Sequence, residues 1–358
     1  MAAKSAAAAT RSRDTNMRVT DLIFLLILIG AGCTDDPIFP EECGSIGAEY
    51  CWQHLGIDDW VGSVEVTPRG LFAGTQQNGL LLYSGEMEWE GRGLSHESID
   101  ALMYHPASNL LFAGLCGLGE HSDVGVFVSG PEGSSWQPSH GGFDRLSACS
   151  FAASGDTLFW GGVIPNILRS TNHGRDWQLL FGSTDAFGNG LNDVLVSERT
   201  PGAIYTVGES ASFRAYFYRS FDMGATWDPF LLPAHADDAA FDVAEDHSNS
   251  ARLWVATANG LQRSDDYGSN WHMAVPLFSR ALVLEPDRYL LFGGKIVIGE
   301  HGETESLLLL ESTDGGDTWV EVPTPEEIPP ATVVKRERVG RYFVGTERGL
   351  WLLEIHPD

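Results

Sequence analysis

An eight-residue phrase recurs along this 358-residue chain and ends each time in tryptophan. It reads Ser170-Thr-Asn-His-Gly-Arg-Asp-Trp177, Ser220-Phe-Asp-Met-Gly-Ala-Thr-Trp227, Ser264-Asp-Asp-Tyr-Gly-Ser-Asn-Trp271 and Ser312-Thr-Asp-Gly-Gly-Asp-Thr-Trp319. The shared pattern is S-x-D-x-G-x-x-W, with Asp222, Asp266 and Asp314 at the acidic position and Asn172 replacing it once. A worn copy from Ser129 to Trp136 keeps Gly133 but carries Pro131 at the acidic position, and Ser84-Gly-Glu-Met-Glu-Trp89 is a shortened one. Starts fall 41 to 50 residues apart, a period that marks propeller blades.

A second landmark precedes each phrase: a short apolar strand ending in a small residue. The series is Leu71-Phe-Ala-Gly-Thr75, Leu110-Leu-Phe-Ala-Gly114, Thr157-Leu-Phe-Trp-Gly-Gly162, Ala203-Ile-Tyr-Thr-Val-Gly208, Arg252-Leu-Trp-Val-Ala-Thr257, Tyr289-Leu-Leu-Phe-Gly-Gly294 and Arg341-Tyr-Phe-Val-Gly-Thr346. Each has an apolar strand before it, and a further strand, the tryptophan phrase and a last strand after it. That makes seven units of four strands. The seventh unit stops after Gly349-Leu-Trp-Leu-Leu-Glu354, and Cys51-Trp-Gln-His-Leu-Gly56 matches the missing fourth strand. The sequence therefore predicts an all-β, seven-bladed propeller of four-stranded antiparallel blades, closed by an N-terminal strand that completes the last blade. Closure removes sheet edges that would otherwise recruit other chains.

The phrase itself has a physical reading. Glycine supplies the positive φ of a tight turn, the Asp or Asn side chain accepts backbone N–H groups within it, and tryptophan buries a large apolar surface between sheets. Trp177, Trp227, Trp271 and Trp319 are thus expected to be structural. The phrase resembles the Asp-box, or BNR repeat, and from about residue 50 the chain resembles that propeller superfamily. The resemblance implies the fold and leaves activity open, because its members include sialidases, xyloglucanases, sortilin-like receptors and photosystem II assembly factors.

Residues 1–16 read as an alanine-rich extension, and Met17 onward as a signal peptide: Arg18, then the apolar run Leu22 to Ile29, then Gly30-Ala-Gly before Cys33. The run is too short for a permanent span. Small residues before a cysteine resemble the bacterial lipobox, although Gly30 stands where that motif prefers a branched aliphatic residue. This implies diacylation of Cys33, with Thr34 favouring an outer membrane where one exists. The expected organisation is 1–32 extension and signal peptide, 33–49 lipidated tether and 50–358 propeller. Four cysteines remain, and four allow three connectivities. Cys43–Cys51 and Cys116–Cys149 are the favoured pairs, with buried free thiols as the alternative.

The formal charge is −27. Cleavage before Cys33 removes Lys4, Arg11, Arg13 and Arg18 against Asp14 and Asp21, so −27 becomes −29. Such a surface repels phosphate backbones and anionic head groups, which argues against nucleic acid and against membrane contact beyond the lipid anchor.

Aligned inner strands give one channel position per blade: Gly62, Asp100, Ser147, Asp193, Asp242, Arg280 and Ala331. Converging carboxylates need a cation, hydrogen bonds or raised pKa values, so a divalent cation in the channel is one expectation and no required cofactor the other. Asp59, His96, Asn192, Asp237 and Asp238 lie nearby and could enrich the site. His121 and His301, in the related strings Gly119-Glu-His-Ser-Asp123 and Gly299-Glu-His-Gly-Glu303, are further ligand candidates. The Arg-Ile-Pro signature of sialidases is absent, and the chain has length for one propeller where xyloglucanases pair two. The functional expectation is a monomeric, lipid-anchored scaffold of the bacterial cell envelope that binds a protein or glycan without catalysis. The second reading is a glycan-active hydrolase or lyase using Asp100, Asp193 and Asp242.

Overall fold

The computed structural model describes residues 39, 49–116, 125–143, 146–163, 166–182, 190–210, 212–233, 238–299 and 302–356. The expectations for Cys33, Cys43, His121, Asp237 and His301 lie outside these residues. Among the described residues there is no helix; strands form seven antiparallel sheets of four. In order from the axis outward, blade 1 spans 61–91, blade 2 101–138, blade 3 150–182, blade 4 190–231, blade 5 240–275 and blade 6 279–322. Blade 7 is built from 331–355, and its outermost strand is Tyr50–His54, antiparallel to Gly349–Ile355 with Tyr50 opposite Ile355 and His54 opposite Trp351. The ring is a seven-bladed β-propeller closed by its own N-terminal strand.

The second strand of each blade shows why the chain folds this way. It is apolar at consecutive positions because both of its faces are covered. In blade 1, Leu71 and Ala73 pack against blade 7 while Phe72 packs against blade 2. In blade 5, Leu253 and Val255 face blade 4 while Trp254 and Ala256 face blade 6. The hydrophobic core is accordingly seven separate clusters, one at each blade interface, including the one between blades 7 and 1. Each fully buried aromatic or aliphatic side chain in them contributes roughly 1.5–3 kcal/mol relative to exposure.

The tryptophan phrase forms the turn between third and fourth strands. In blade 5, Ser264 Oγ accepts the Gly268 N–H at 2.8 Å and donates to Asp266, whose carboxylate accepts the Asn270 N–H and side-chain amide. Blades 3, 4 and 6 repeat these bonds at Asn172, Asp222 and Asp314. Hydrogen bonds from Thr226 hold the Asp222 carboxyl down at about 2, and Thr318 does the same for Asp314. The Trp227, Trp271 and Trp319 indole N–H groups bond the carbonyl of the turn glycine.

The turn glycine has a second role that the sequence does not display. Gly268 has φ +82°, and a Cβ there would lie 2.3 Å from Phe217 of blade 4. Gly316 bears in the same way on Trp254, and Gly174 on Phe112. Each turn thus seats on a large side chain of the preceding blade. Gly268→Ala is expected to destabilise the protein by about 2–4 kcal/mol, combining overpacking with backbone strain. Gly142→Ala, at φ +93° with nothing within 4 Å, should lose only about 1–2 kcal/mol. Urea denaturation of both variants checks the difference.

Candidate functional site

The innermost strand of each blade is a sheet edge facing the axis, with N–H and C=O groups that no neighbouring strand pairs. Buried backbone groups of this kind must find other partners. In blades 1, 4, 5, 6 and 7 the inner strand carries a one-residue register shift against the second strand, at Gly62, Asn192, Phe241, Arg280 and Thr332. Such a bulge re-aims side chains. Both the bulged residue and its successor line a lumen of about 390 Å³, together with Asp100, Cys116, Cys149 and Ser150.

Asp100, Asp193, Asp242 and Arg280 all line this lumen, as does Gly62; Ser147 and Ala331 do not, their blades contributing Ser150 and Thr332 instead. In the bulged blades the extra residue shifts the register that a simple alignment assumes. Arg280 is equivalent to Asn192 and Phe241, one residue ahead of the positions of Asp193 and Asp242.

The polar side chains here bridge blades. Ser63 Oγ donates to Ile99 O at 2.8 Å, linking blade 1 to the approach to blade 2. Ser150 Oγ donates to Asp193 Oδ1 at 3.1 Å, linking blades 3 and 4. Asp193 Oδ2 accepts the Val243 N–H at 3.2 Å, and Asn192 Nδ2 donates to Ala240 O at 2.8 Å, linking blades 4 and 5. Asp242 Oδ2 accepts the Leu282 N–H at 2.6 Å. Arg280 Nε donates to Thr332 O at 3.2 Å, and Thr332 Oγ1 donates to Val61 O. Between blades 2 and 3 the link is a disulfide, Cys116–Cys149, with Cα atoms 4.8 Å apart, beside the Ala148 N–H to Leu115 O bond. Cys51 is also disulfide-bonded. The belt runs through all seven blades. Of its participants, Asn192 was expected beside the channel, whereas Ser63, Ser150 and Thr332 were not picked out by sequence; their signal is a short polar side chain at the start of an inner strand.

Burial is the largest influence on the titration of the lumen's charged groups. Burial pushes Asp100 up, opposed by the Cys116 N–H and the Ser98 hydroxyl. Asp193 and Asp242 each influence the other's protonation. Burial and the neighbouring Asp193 charge push Asp242 up to about 8, against the Leu282 N–H and Arg280. Burial also pushes Asp193 up, but the Val243 N–H, the Ser150 hydroxyl, Asp242 and the Val194 N–H all favour its charged form. Burial and mutual repulsion thus keep a proton on the pair above the ordinary carboxylate range. Arg280 stacks 4.4 Å from the centroid of Phe241, and burial lowers its pKa against the pull of Asp242. Asp59 and Asp238, at the entries to blades 1 and 5, are loop staples. Asp59 accepts from Trp60, Gln77 and Asn78, and Asp238 from Asn259.

No protein-family profile matches the chain, and no curated protein matches it. Solved structures do. A YCF48 protein bound to a D1 peptide superposes with a TM-score of 0.63 at 20% identity, covering 87% of this chain and 98% of its own. YCF48 from Cyanidioschyzon merolae gives 0.62 at 14% identity, over 86% and 98%. The GH74 xyloglucanase from Xanthomonas campestris gives 0.61 at 15% identity over 85% of this chain. That match spans 53% of the xyloglucanase, about half its length. At these identities the likeness is one of fold.

The carboxyl pair has a distinct pH signature. Asp242 binds its proton more tightly in the folded than in the unfolded state, where a value near 3.9 applies. Its contribution is present in full below about pH 4 and lost as pH rises towards its folded value of about 8. Asp242→Asn copies the protonated acid, so it should flatten this slope and match or exceed wild-type stability at pH 8. Asp193→Asn turns an amide N–H toward groups that already donate and should lose about 2–4 kcal/mol. Denaturant midpoints between pH 4 and 9 measure both.

Proposed function

We propose that this chain is an exported propeller of the Asp-box (BNR) kind, anchored to a bacterial membrane through lipidated Cys33, that holds a protein partner without catalysing a reaction on it. The observation that carries the reading is the state of the lumen carboxyls. Asp193 accepts from the Ser150 hydroxyl and the Val194 and Val243 N–H groups, and Asp242 accepts from the Leu282 N–H, so both carboxyls are already engaged by donors of their own or adjacent blades. A glycosidic acid and base or nucleophile need about 5–5.5 Å between carboxyls for retention, or about 6.5–9.5 Å for inversion. Carboxyls committed in this way to holding neighbouring blades suit a structural role better than either catalytic one. This reading also needs no resident cofactor, since N–H donors do for these carboxyls what a cation would.

Binding then falls to the rim of the ring, on the face formed by the loops between second and third strands and between blades. Gln76, Gln77, Asn78, Leu277, Glu347 and Arg348 are exposed there. The fold is shared with a YCF48 protein whose structure holds a peptide, which supports a protein as the partner class. A glycan is the second partner class the acidic ring allows.

The test is in-cell crosslinking of the full-length lipidated protein, with affinity purification and mass spectrometry. The expected result is a near-stoichiometric partner retained by Asp242→Asn and lost on combining Leu277→Asp with Arg348→Glu. Recovery of the propeller alone, or loss of the partner in Asp242→Asn with retention in the rim variant, contradicts the reading.

A further inference from the structure

On the face that carries the tryptophan turns, three side chains from two blades converge. His105 ends the inner strand of blade 2 and is buried; Asp156 is exposed in the turn between the first two strands of blade 3; His173 stands fourth in the tryptophan phrase of that blade. One ligand atom from each lies within 4.8 Å of the other two. The two imidazoles face each other at 5.6 Å between centroids, their planes 40° apart. Among the described residues, no other three His, Cys, Asp or Glu side chains come together in this way.

Two independent observations indicate a ligand. His173 Nδ1 is shut off from solvent and has no hydrogen-bond partner, an arrangement that costs free energy unless something fills it. The turn, moreover, does not require histidine. Its counterparts are Met223, Tyr267 and Gly315, with φ of 58°, 58° and 74° against 60° for His173. The backbone there accepts unrelated side chains, so imidazole at this position is not explained by the turn.

Both ring nitrogens of His105 are engaged. Its Nε2 donates to Gly155 O of blade 3 at 2.8 Å, and Nδ1 lies 2.8 Å from Ser108 Oγ. Carbonyl bonding of one ring nitrogen fixes the tautomer and holds the ring in place. We propose that His105, Asp156 and His173 form a divalent transition-metal site, of the Zn²⁺ class, that clamps blade 2 to blade 3. Two imidazoles and a carboxylate suit Zn²⁺ and its borderline neighbours rather than Ca²⁺ or Mg²⁺. Zinc–nitrogen bonds of about 2.0–2.1 Å draw the three donors inward from their present spacing, through rotation of the partly exposed His173 and exposed Asp156. An ion there replaces one of the two present partners of His105. Exposure on the Asp156 side leaves the fourth position to water. The blade pair held this way is the one whose lumen end is tied by Cys116–Cys149. The ion would tie its opposite end.

The test uses the purified full chain, stripped with EDTA, and Zn²⁺ alone as the probe. Calorimetric titration is expected to show one Zn²⁺ per chain and a thermal midpoint that rises with Zn²⁺ concentration. His173→Tyr, which installs the blade 5 turn residue, and the surface change Asp156→Asn should each weaken binding by about tenfold or more. Their metal-free midpoints should stay at the wild-type value. In Co²⁺-substituted protein, the visible bands of a site with nitrogen and oxygen ligands should appear and be lost in His173→Tyr. Absence of Zn²⁺ binding, or binding unchanged in both variants, overturns the assignment. Asp156→Asn keeps the test decisive if the turn variant does not fold.

Discussion

Everything in this ring depends on side chains that leave one inner strand and bond the next blade. Seven sheets converge on an axis with their inward edges unpaired, and hydrophobic packing between blades does nothing for those N–H and C=O groups. The chain meets the need with short polar residues and carboxyls at the inner-strand entries, from Ser63 round to Thr332. At the junction of blades 2 and 3 the Cys116–Cys149 disulfide takes that place. The apolar clusters between blades supply the larger favourable free energy. The polar belt sets how the blades stand to one another, since each bond has a direction and a fixed reach.

The same belt explains why three acidic residues converge without making an obvious reactive centre. Burial and mutual repulsion push both Asp193 and Asp242 up, and each carboxyl is spent on a neighbouring backbone N–H. On the proposed reading recognition passes to the rim, where loop length and side-chain identity vary without touching the belt. The fold is shared by structures of quite different kinds, a YCF48 protein with a peptide and a xyloglucanase among them, so it is the site rather than the fold that must carry a functional argument.

The architecture was legible because its signals are local and repeated. The phrase from Ser264 to Trp271 specifies a turn by its own hydrogen bonds, and an apolar run such as Leu71-Phe-Ala specifies a strand covered on both faces. Closure was legible because Tyr50–His54 resembles a fourth strand that blade 7 lacks. The site was legible only in outline. Asp100, Asp193, Asp242 and Arg280 could be placed at the axis by register, but the bulges at Asn192, Phe241 and Arg280 leave no mark in the sequence pattern. Repulsion between Asp193 and Asp242 depends on ångström-scale spacing between blades. The grouping of His105 with His173 was hidden because the two lie on different blades, and the one visible sign was a histidine where the other turns have methionine, tyrosine or glycine.

A carboxyl-¹³C NMR titration of aspartate-labelled protein reads the central claim most directly. If the belt holds a proton on the Asp193 and Asp242 pair, one carboxyl of the pair remains protonated at pH 7. That resonance should move only as pH passes about 8, and Asp242→Asn should remove it. Two carboxylates both ionised at pH 7, with ordinary titration near pH 4, would contradict a belt that holds such a proton and return the lumen to consideration as a reactive site.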